Sequence, residues 1–311
     1  MSTSFSRTDT ICKEIHNFCG DEKSLIQLLL NLSQSECRQV RETYLEMYGQ
    51  DLVQLCQKFD PMVSSLSGLM MLSPFQRDAV FAREAIHKND VVNYMALVEI
   101  FACRKSSHVL LILQAYFTKF RSHLELDIAS IEPRHSYQKI LKALCASHKA
   151  HHAEISQHIA KCDARRLYQT GEGKLGAIDE AVVIEIFSKR SISQLKLTFL
   201  SYKHIYGHSY TRFLKNQDSG EFEAAVRVVA MCICSPSRYY AKVLYGCLKG
   251  TTTDKGAMAR VMVSRAEVDM DEIHKKLKKK YEVDLNNVIC ESIPHGSYRD
   301  LLVAMANKAS V

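Results

Sequence analysis

Two short glycine-bearing segments carry the residue types and spacing that could do chemistry. One is Thr170-Gly171-Glu172-Gly173-Lys174-Leu175-Gly176-Ala177-Ile178-Asp179-Glu180; the other is Leu248-Lys249-Gly250-Thr251-Thr252-Thr253-Asp254-Lys255. Glycine lets successive backbone carbonyls turn toward one point, which a hard cation such as calcium requires of its oxygen ligands. A carboxylate from elsewhere in the chain would complete such a site. The same residues also describe an ordinary turn closed by an aspartate at a helix start, and taken singly the segments do not separate the two readings. A reduced version, Cys19-Gly20-Asp21-Glu22, stands near the N-terminus.

Other chemistry is thin. Gly171-Glu172-Gly173-Lys174 lacks the spacing and the following Ser or Thr of a phosphate loop. No G-x-S-x-G elbow, H-E-x-x-H helix or kinase set occurs, so the chain is read as a non-enzyme. His148, His151 and His152, with His158 nearby, sit at helical spacing and could hold a transition metal, but a polar linker explains them more simply. Cys232 and Cys234 form C-x-C without a second pair, so buried thiols are expected there. The cysteines number eleven and the start MSTSFSRTDT has no apolar core, which points to a reducing, cytoplasmic setting without disulfides. The longest apolar run, 224–234, contains Arg227, so no spanning segment is expected. The net charge of +7 permits attraction to phosphates without choosing among them.

The elements that must position the loops are helical. Only 12 Gly and 5 Pro serve 311 residues, too few for many tight hairpins. Leu25, Leu28, Leu29 and Leu32 recur on one face of a 3.6-residue period. Repetition then sets the architecture. Ser73-Pro74 recurs as Ser235-Pro236, and Pro133-Arg134-His135-Ser136-Tyr137 as Pro294-His295-Gly296-Ser297-Tyr298, so the chain reads as two similar halves. Aromatic anchors at Tyr48, Phe120, Tyr206 and Tyr281 divide each half again. In three of the quarters a basic residue precedes the anchor by about 16 positions, within 102–107, 187–193 and 263–269. The prediction is all-α, four repeats of about 70 residues with four to five helices each. The expected divisions are a tail at 1–10, repeats at 11–72 and 73–147, a linker at 148–162, and repeats at 163–234 and 235–311.

Four such repeats with these loops resemble an annexin. LKGTTTD (248–254) with RVMVSRAEVDMDEI (260–273) resembles the fourth-repeat endonexin fold, usually [ML]-K-G-x-G-T-D. GEGKLGAIDE (171–180) resembles the third-repeat loop, usually G-x-x-K-x-G-T-D-E. PFQRDA (74–79), EIFACRKS (99–106), the positions of Cys103 and Cys232, and a second repeat without the loop resemble the plant branch. The resemblance implies a curved all-α disc, peripheral on the cytoplasmic side of membranes, that binds anionic phospholipid through calcium on its convex face. Actin or another protein is the partner of the alternative, a calcium-independent scaffold. No nucleic acid is expected.

The chain departs from the family pattern in every repeat. In repeat 3, Gly171, Lys174 and Gly176 keep the arrangement implied for carbonyl ligands, and the capping position falls on Gln217 beside Asp218. In repeat 4 the implied ligands are Leu248, Gly250 and Thr252, the last in place of a glycine, and the capping position falls on Ser292 beside Glu291. In repeat 1 it falls near Phe59. Losing a carboxylate removes charge and up to two ligands, so calcium binding is expected to be weak, best in repeat 3 and second in repeat 4. Leu175 and Lys249 are the expected membrane contacts. The histidine linked to peroxidase activity in plant relatives falls at about Leu32, so that activity is not carried over. Cys103 and Cys232 are expected to be structural, and the lysine run 275–280 to be a solvated helix face that could also meet anionic lipid or actin.

Overall fold

The computed structural model of the protein describes residues 7–18, 21–88, 91–145, 155–174, 178–216, 220–249 and 254–308. Among them every regular element is a helix, five to each repeat. Repeat 1 holds α1 (Arg7–Asn17), α2 (Glu22–Leu30), α3 (Gln34–Tyr48), α4 (Leu52–Cys56) and α5 (Pro61–Met70). Repeat 2 holds α6 (Pro74–His87), α7 (Tyr94–Ala102), α8 (Ser106–Phe120), α9 (Leu124–Ala129) and α10 (Ser136–Cys145). Repeat 3 holds α11 (Gln157–Gln169), α12 (Glu180–Lys189), α13 (Ile192–Tyr206), α14 (Tyr210–Asn216) and α15 (Glu221–Cys234). Repeat 4 holds α16 (Pro236–Lys249), α17 (Lys255–Arg265), α18 (Met270–Tyr281), α19 (Leu285–Ser292) and α20 (Ser297–Asn307). Helices α1 and α11 begin a few residues inside the expected tail and linker; for α11 the reason is Ser156, which caps it by accepting from Ile159 N at 3.2 Å.

The third helix of each repeat ends in the same way. Gly49 (φ 68°) and Gly207 (φ 79°) take the left-handed conformation that closes α3 and α13, and Arg121 (φ 54°) and Glu282 (φ 57°) do so after α8 and α18. Just before these turns lie the aromatic anchors, each packed on the first helix of its own repeat. Tyr48 stacks on His16 at 3.9 Å, Tyr206 on Tyr168 at 3.9 Å and Tyr281 on Tyr245 at 4.0 Å, while Phe120 takes the guanidinium of Arg83 at 5.5 Å.

The basic residue 16 positions earlier also acquires a reason. Arg104 grips Asp78 at 2.6 and 3.0 Å, and Arg190 grips Asp163 at 2.7 and 3.1 Å, each a bidentate pair onto a nearly buried carboxylate of the first helix. In repeat 4 the corresponding first-helix residue is Tyr240; Arg265 lies over its ring at 4.8 Å and takes its carboxylate from Asp269 at 2.7 Å instead.

Two compact units form, and they do not follow the sequence halves: residues 1–74 join 237–311, and residues 75–236 form the other unit. Repeat 1 therefore packs with repeat 4, and repeat 2 with repeat 3. In the first unit α20 packs on α2, α5 and α17. Gln34 ties the two repeats there, its Nε2 donating to Val263 O and its N–H to Glu267 Oε1, both at 2.8 Å; Lys308 donates to Leu32 O. In the second unit α10 packs on α12, α7 and α15. Helices α7 and α17 are buried nearly all round, as Ala96–Ala102 and Ala257–Val263 show, which is why their sequences carry no clear polar face.

Candidate functional site

In repeats 1, 2 and 4 the segment after the first helix meets the connection leading into the fifth helix, so residues about forty apart in sequence become neighbours. What joins them differs from repeat to repeat. In repeat 1 Asp21 caps α2, accepting from Ser24 N at 3.1 Å, and Glu22 accepts the backbone N–H of Asp60 at 3.2 Å. Asp60 itself caps α5 through Met62 N at 2.9 Å, so the acid beside Phe59 is already engaged. In repeat 2, Asn93 caps α7 and the Tyr94 ring stacks against His135 at 4.6 Å and Tyr137 at 5.5 Å.

The repeat 3 loop turns tightly off α11. Gly171 N and Gly173 N both donate to Tyr168 O, at 3.2 and 2.7 Å, and Lys174 N donates to Gly171 O at 3.0 Å. The loop closes where Asp179 N donates to Thr170 O at 2.9 Å, and Asp179 caps α12 through Val182 N at 3.2 Å. Glycine is required at 171: a Cβ there would stand 2.9 Å from Leu167 O and 3.3 Å from Ile178 Cγ2.

Glu172 anchors this loop from behind, a role the sequence reading missed. Its Oε2 accepts from Tyr202 OH at 2.5 Å and from His208 Nε2 at 2.8 Å. The other ring nitrogen, Nδ1, lies 2.9 Å from Tyr206 O. Burial and then the Glu172 bond raise the Tyr202 phenol pKa, so it stays a donor. The one signal in the sequence was an acid inside a glycine loop, with its partners 30 and 36 residues away. Leu175, Gly176, Gln217 and Asp218 lie outside the described residues.

Repeat 4 brings Leu248, Lys249, Glu291 and Ser292 together, but engages them with one another. Ser292 Oγ donates to Leu248 O at 3.2 Å, and Lys249 Nζ pairs with Glu291 Oε2 at 3.1 Å. Tyr298 OH adds a bond to Lys255 O at 3.3 Å. The implied carbonyl ligand and the neighbouring acid are both occupied by protein groups. The expected ligands Leu248 and Glu291 are met here by a hydroxyl and an ammonium. Gly250 and Thr252 lie outside the described residues.

A family model described as Annexin matches residues 162–229 and 239–305. Human annexin A3 is 32% identical over 301 residues, covering 95% of this chain and 90% of its own length. The chain belongs to the annexin family. A plant annexin, annexin D3 of Arabidopsis thaliana, is 28% identical over 310 residues, covering 96% of this chain and 94% of its own. Among solved structures, annexin III superposes with a TM-score of 0.85 at 30% identity, covering 98% of this chain and 95% of that one. Annexins are calcium-dependent phospholipid-binding proteins and in general not enzymes. Among the described residues no helix is long and apolar enough to cross a membrane.

Cys232 is buried and Cys103 half-buried, the Cys103 Sγ lying 3.9 Å from the Cys232 carbonyl, and burial drives the Cys232 thiol well above its ordinary pKa. Burial likewise pushes Cys37 up to about 11 and Cys56 to about 12, so these are packed thiols rather than thiolates. His148, His151 and His152 lie outside the described residues, and His158 faces Cys162 on α11 at 3.7 Å.

Proposed function

We propose that this annexin attaches peripherally to anionic phospholipid surfaces through calcium held weakly by repeat 3, at the cytoplasmic side of membranes. The carbonyls of Gly171, Lys174 and Gly176 would supply backbone oxygens, and Gln217 or Asp218 the side-chain oxygen. Calcium would bridge this loop to lipid phosphate, with Leu175 entering the headgroup layer. The observation that carries the reading is the glycine loop itself. Gly171 sits where no Cβ fits, Glu172 is bonded twice, and Gly171 O, which accepts Lys174 N, keeps a second lone pair for a cation. Repeat 4 takes a smaller part, because Leu248 and Glu291 would first have to release Ser292 and Lys249.

The test is sedimentation with phosphatidylserine vesicles, from excess chelator to millimolar calcium, comparing the wild type with Gly176→Glu and Asp218→Ala. Calcium-dependent pelleting that both variants lose supports the reading; pelleting indifferent to calcium and to both variants ends it. The protein-only closures of repeats 1, 2 and 4 favour one alternative, a scaffold that binds a protein such as actin without calcium. Co-sedimentation with actin filaments in chelator would favour that alternative.

A further inference from the structure

Helix α18 carries a charge pattern that the calcium loops do not use. Met270, Ile273 and Leu277 face the core, which leaves its lysines outward. Two of the five are engaged: Lys275 pairs with Glu272 at 3.0 Å, and Lys280 reaches Tyr281 OH at 2.9 Å. Lys276, Lys278 and Lys279 have no carboxylate within ion-pair distance among the described residues. The third helix of repeat 1 differs, since α3 intersperses Glu36, Glu42 and Glu46 among its arginines.

The Tyr245–Tyr281 stack extends the pattern. Arg238, Lys242, Tyr245 and Lys249 fall four, three and four residues apart, one face of α16. That is the face meeting the end of α18 at 4.0 Å, and Arg238 and Lys242 are exposed. The stack therefore gathers basic side chains from two helices, and Tyr245 stands about one helical turn from Lys249, at the loop end of repeat 4.

We infer that Lys276, Lys278 and Lys279, with Arg238 and Lys242, form a calcium-independent contact for the anionic phospholipid surface. The inference goes beyond the calcium reading and needs no metal. The acids of α18, Asp271 and Glu272, stand in its first turn, and beyond them the cations are all lysine, compact hydrated point charges suited to a diffuse negative surface rather than to bidentate recognition. None of the large apolar side chains exposed among the described residues lies on α16 or α18. A protein interface would call for such anchors, and it is ordinarily depleted in lysine.

The experiment uses the full chain in excess chelator with mixed phosphatidylserine–phosphatidylcholine vesicles, at about 20 mM salt, where charge attraction is little screened. Replacing Lys276, Lys278 and Lys279 together by alanine is expected to weaken binding about tenfold or more. Replacing all three by arginine keeps the charge and should retain it, and raising the salt to about 150 mM should weaken the wild type far more than the alanine variant. Melting curves matched to the wild type show that the variants fold. No binding of the wild type in chelator would overturn the inference, as would an alanine variant that binds equally well or an arginine variant that fails like the alanine one. Gly176→Glu should leave this arm unchanged while removing the calcium-dependent arm, so the two readings fail separately.

Discussion

In repeat 3 the acid of the glycine loop, Glu172, is held from behind by Tyr202 and His208, while in repeat 4 the acid across from the loop, Glu291, is held by the loop's own Lys249. The two loops descend from one pattern, yet one is braced and the other is closed on itself. The same contrast runs inward to the arginine behind each loop. Arg190 in repeat 3 depends on a buried first-helix carboxylate, Asp163, whereas Arg265 in repeat 4 has an aromatic ring and a local i+4 aspartate. The difference teaches that matching loops report ancestry, and that the groups packed around them decide what each loop can bind.

The largest expected effect tests the inner layer of that contrast. Asp163→Asn strips the charge partner from Arg190 and should destabilise the second unit by about 3 kcal/mol. Asp269→Asn, at a pair that is also largely buried, should cost less, about 2 kcal/mol, because Arg265 keeps its place over Tyr240. Urea unfolding of the two variants checks this, and equal losses would erase the distinction between the repeats.

A gain of function tests the outer layer. Ser292→Asp puts a carboxylate where a hydroxyl now satisfies Leu248 O, and it should lower the calcium needed for half-maximal vesicle binding by about fivefold, the scale of one added charge contact of about 1 kcal/mol. Calcium titration of vesicle binding would show it. An unchanged midpoint would mean that Thr252 or the Lys249–Glu291 pair, rather than Ser292, disables the loop.

The smallest expected effect concerns two histidines. His208 in repeat 3 has an acceptor at each ring nitrogen, but His274 in repeat 4 is half-buried with no partner for Nε2 among the described residues. Burial holds the His274 pKa below its ordinary value, against a weaker upward pull from Asp284 and Asp271. The unfolded chain then binds the proton more readily than the fold. Stability contributed by neutral His274 is present above the unfolded value of about 6.5 and is lost as pH falls from there through the lower folded pKa. His274→Gln should flatten that part of a plot of melting temperature against pH; an unaltered slope would place the acid sensitivity elsewhere.

Much of the architecture was legible because it rests on local chemistry. Helical periodicity and capping aspartates such as Asp179 and Asp254 act within a few turns of chain, and the aromatic anchors were visible by their recurrence. The regular offset between Arg104, Arg190 or Arg265 and its anchor was visible too, although its purpose was not, since Asp78 and Asp163 lie more than twenty residues upstream. The site was legible only in outline. The loop in repeat 3 could be found from Gly171, Lys174 and Gly176, but the brace on Glu172 comes from the end of α13 and the residues after it, beyond the reach of any motif.

The sequence by itself determined that this is an all-helical annexin of four repeats, because period and caps are properties of neighbouring residues and the anchors recur along the chain. Tertiary structure alone decided that repeat 1 joins repeat 4 and repeat 2 joins repeat 3, against the grain of the sequence halves. It also decided that Ser292 meets Leu248 O and that Lys249 pairs with Glu291 in repeat 4. The physical reason is common to both: apolar faces such as those of α5, α17 and α20, and lone pairs such as that of Leu248 O, are satisfied by whatever packing brings near, whatever the distance along the chain.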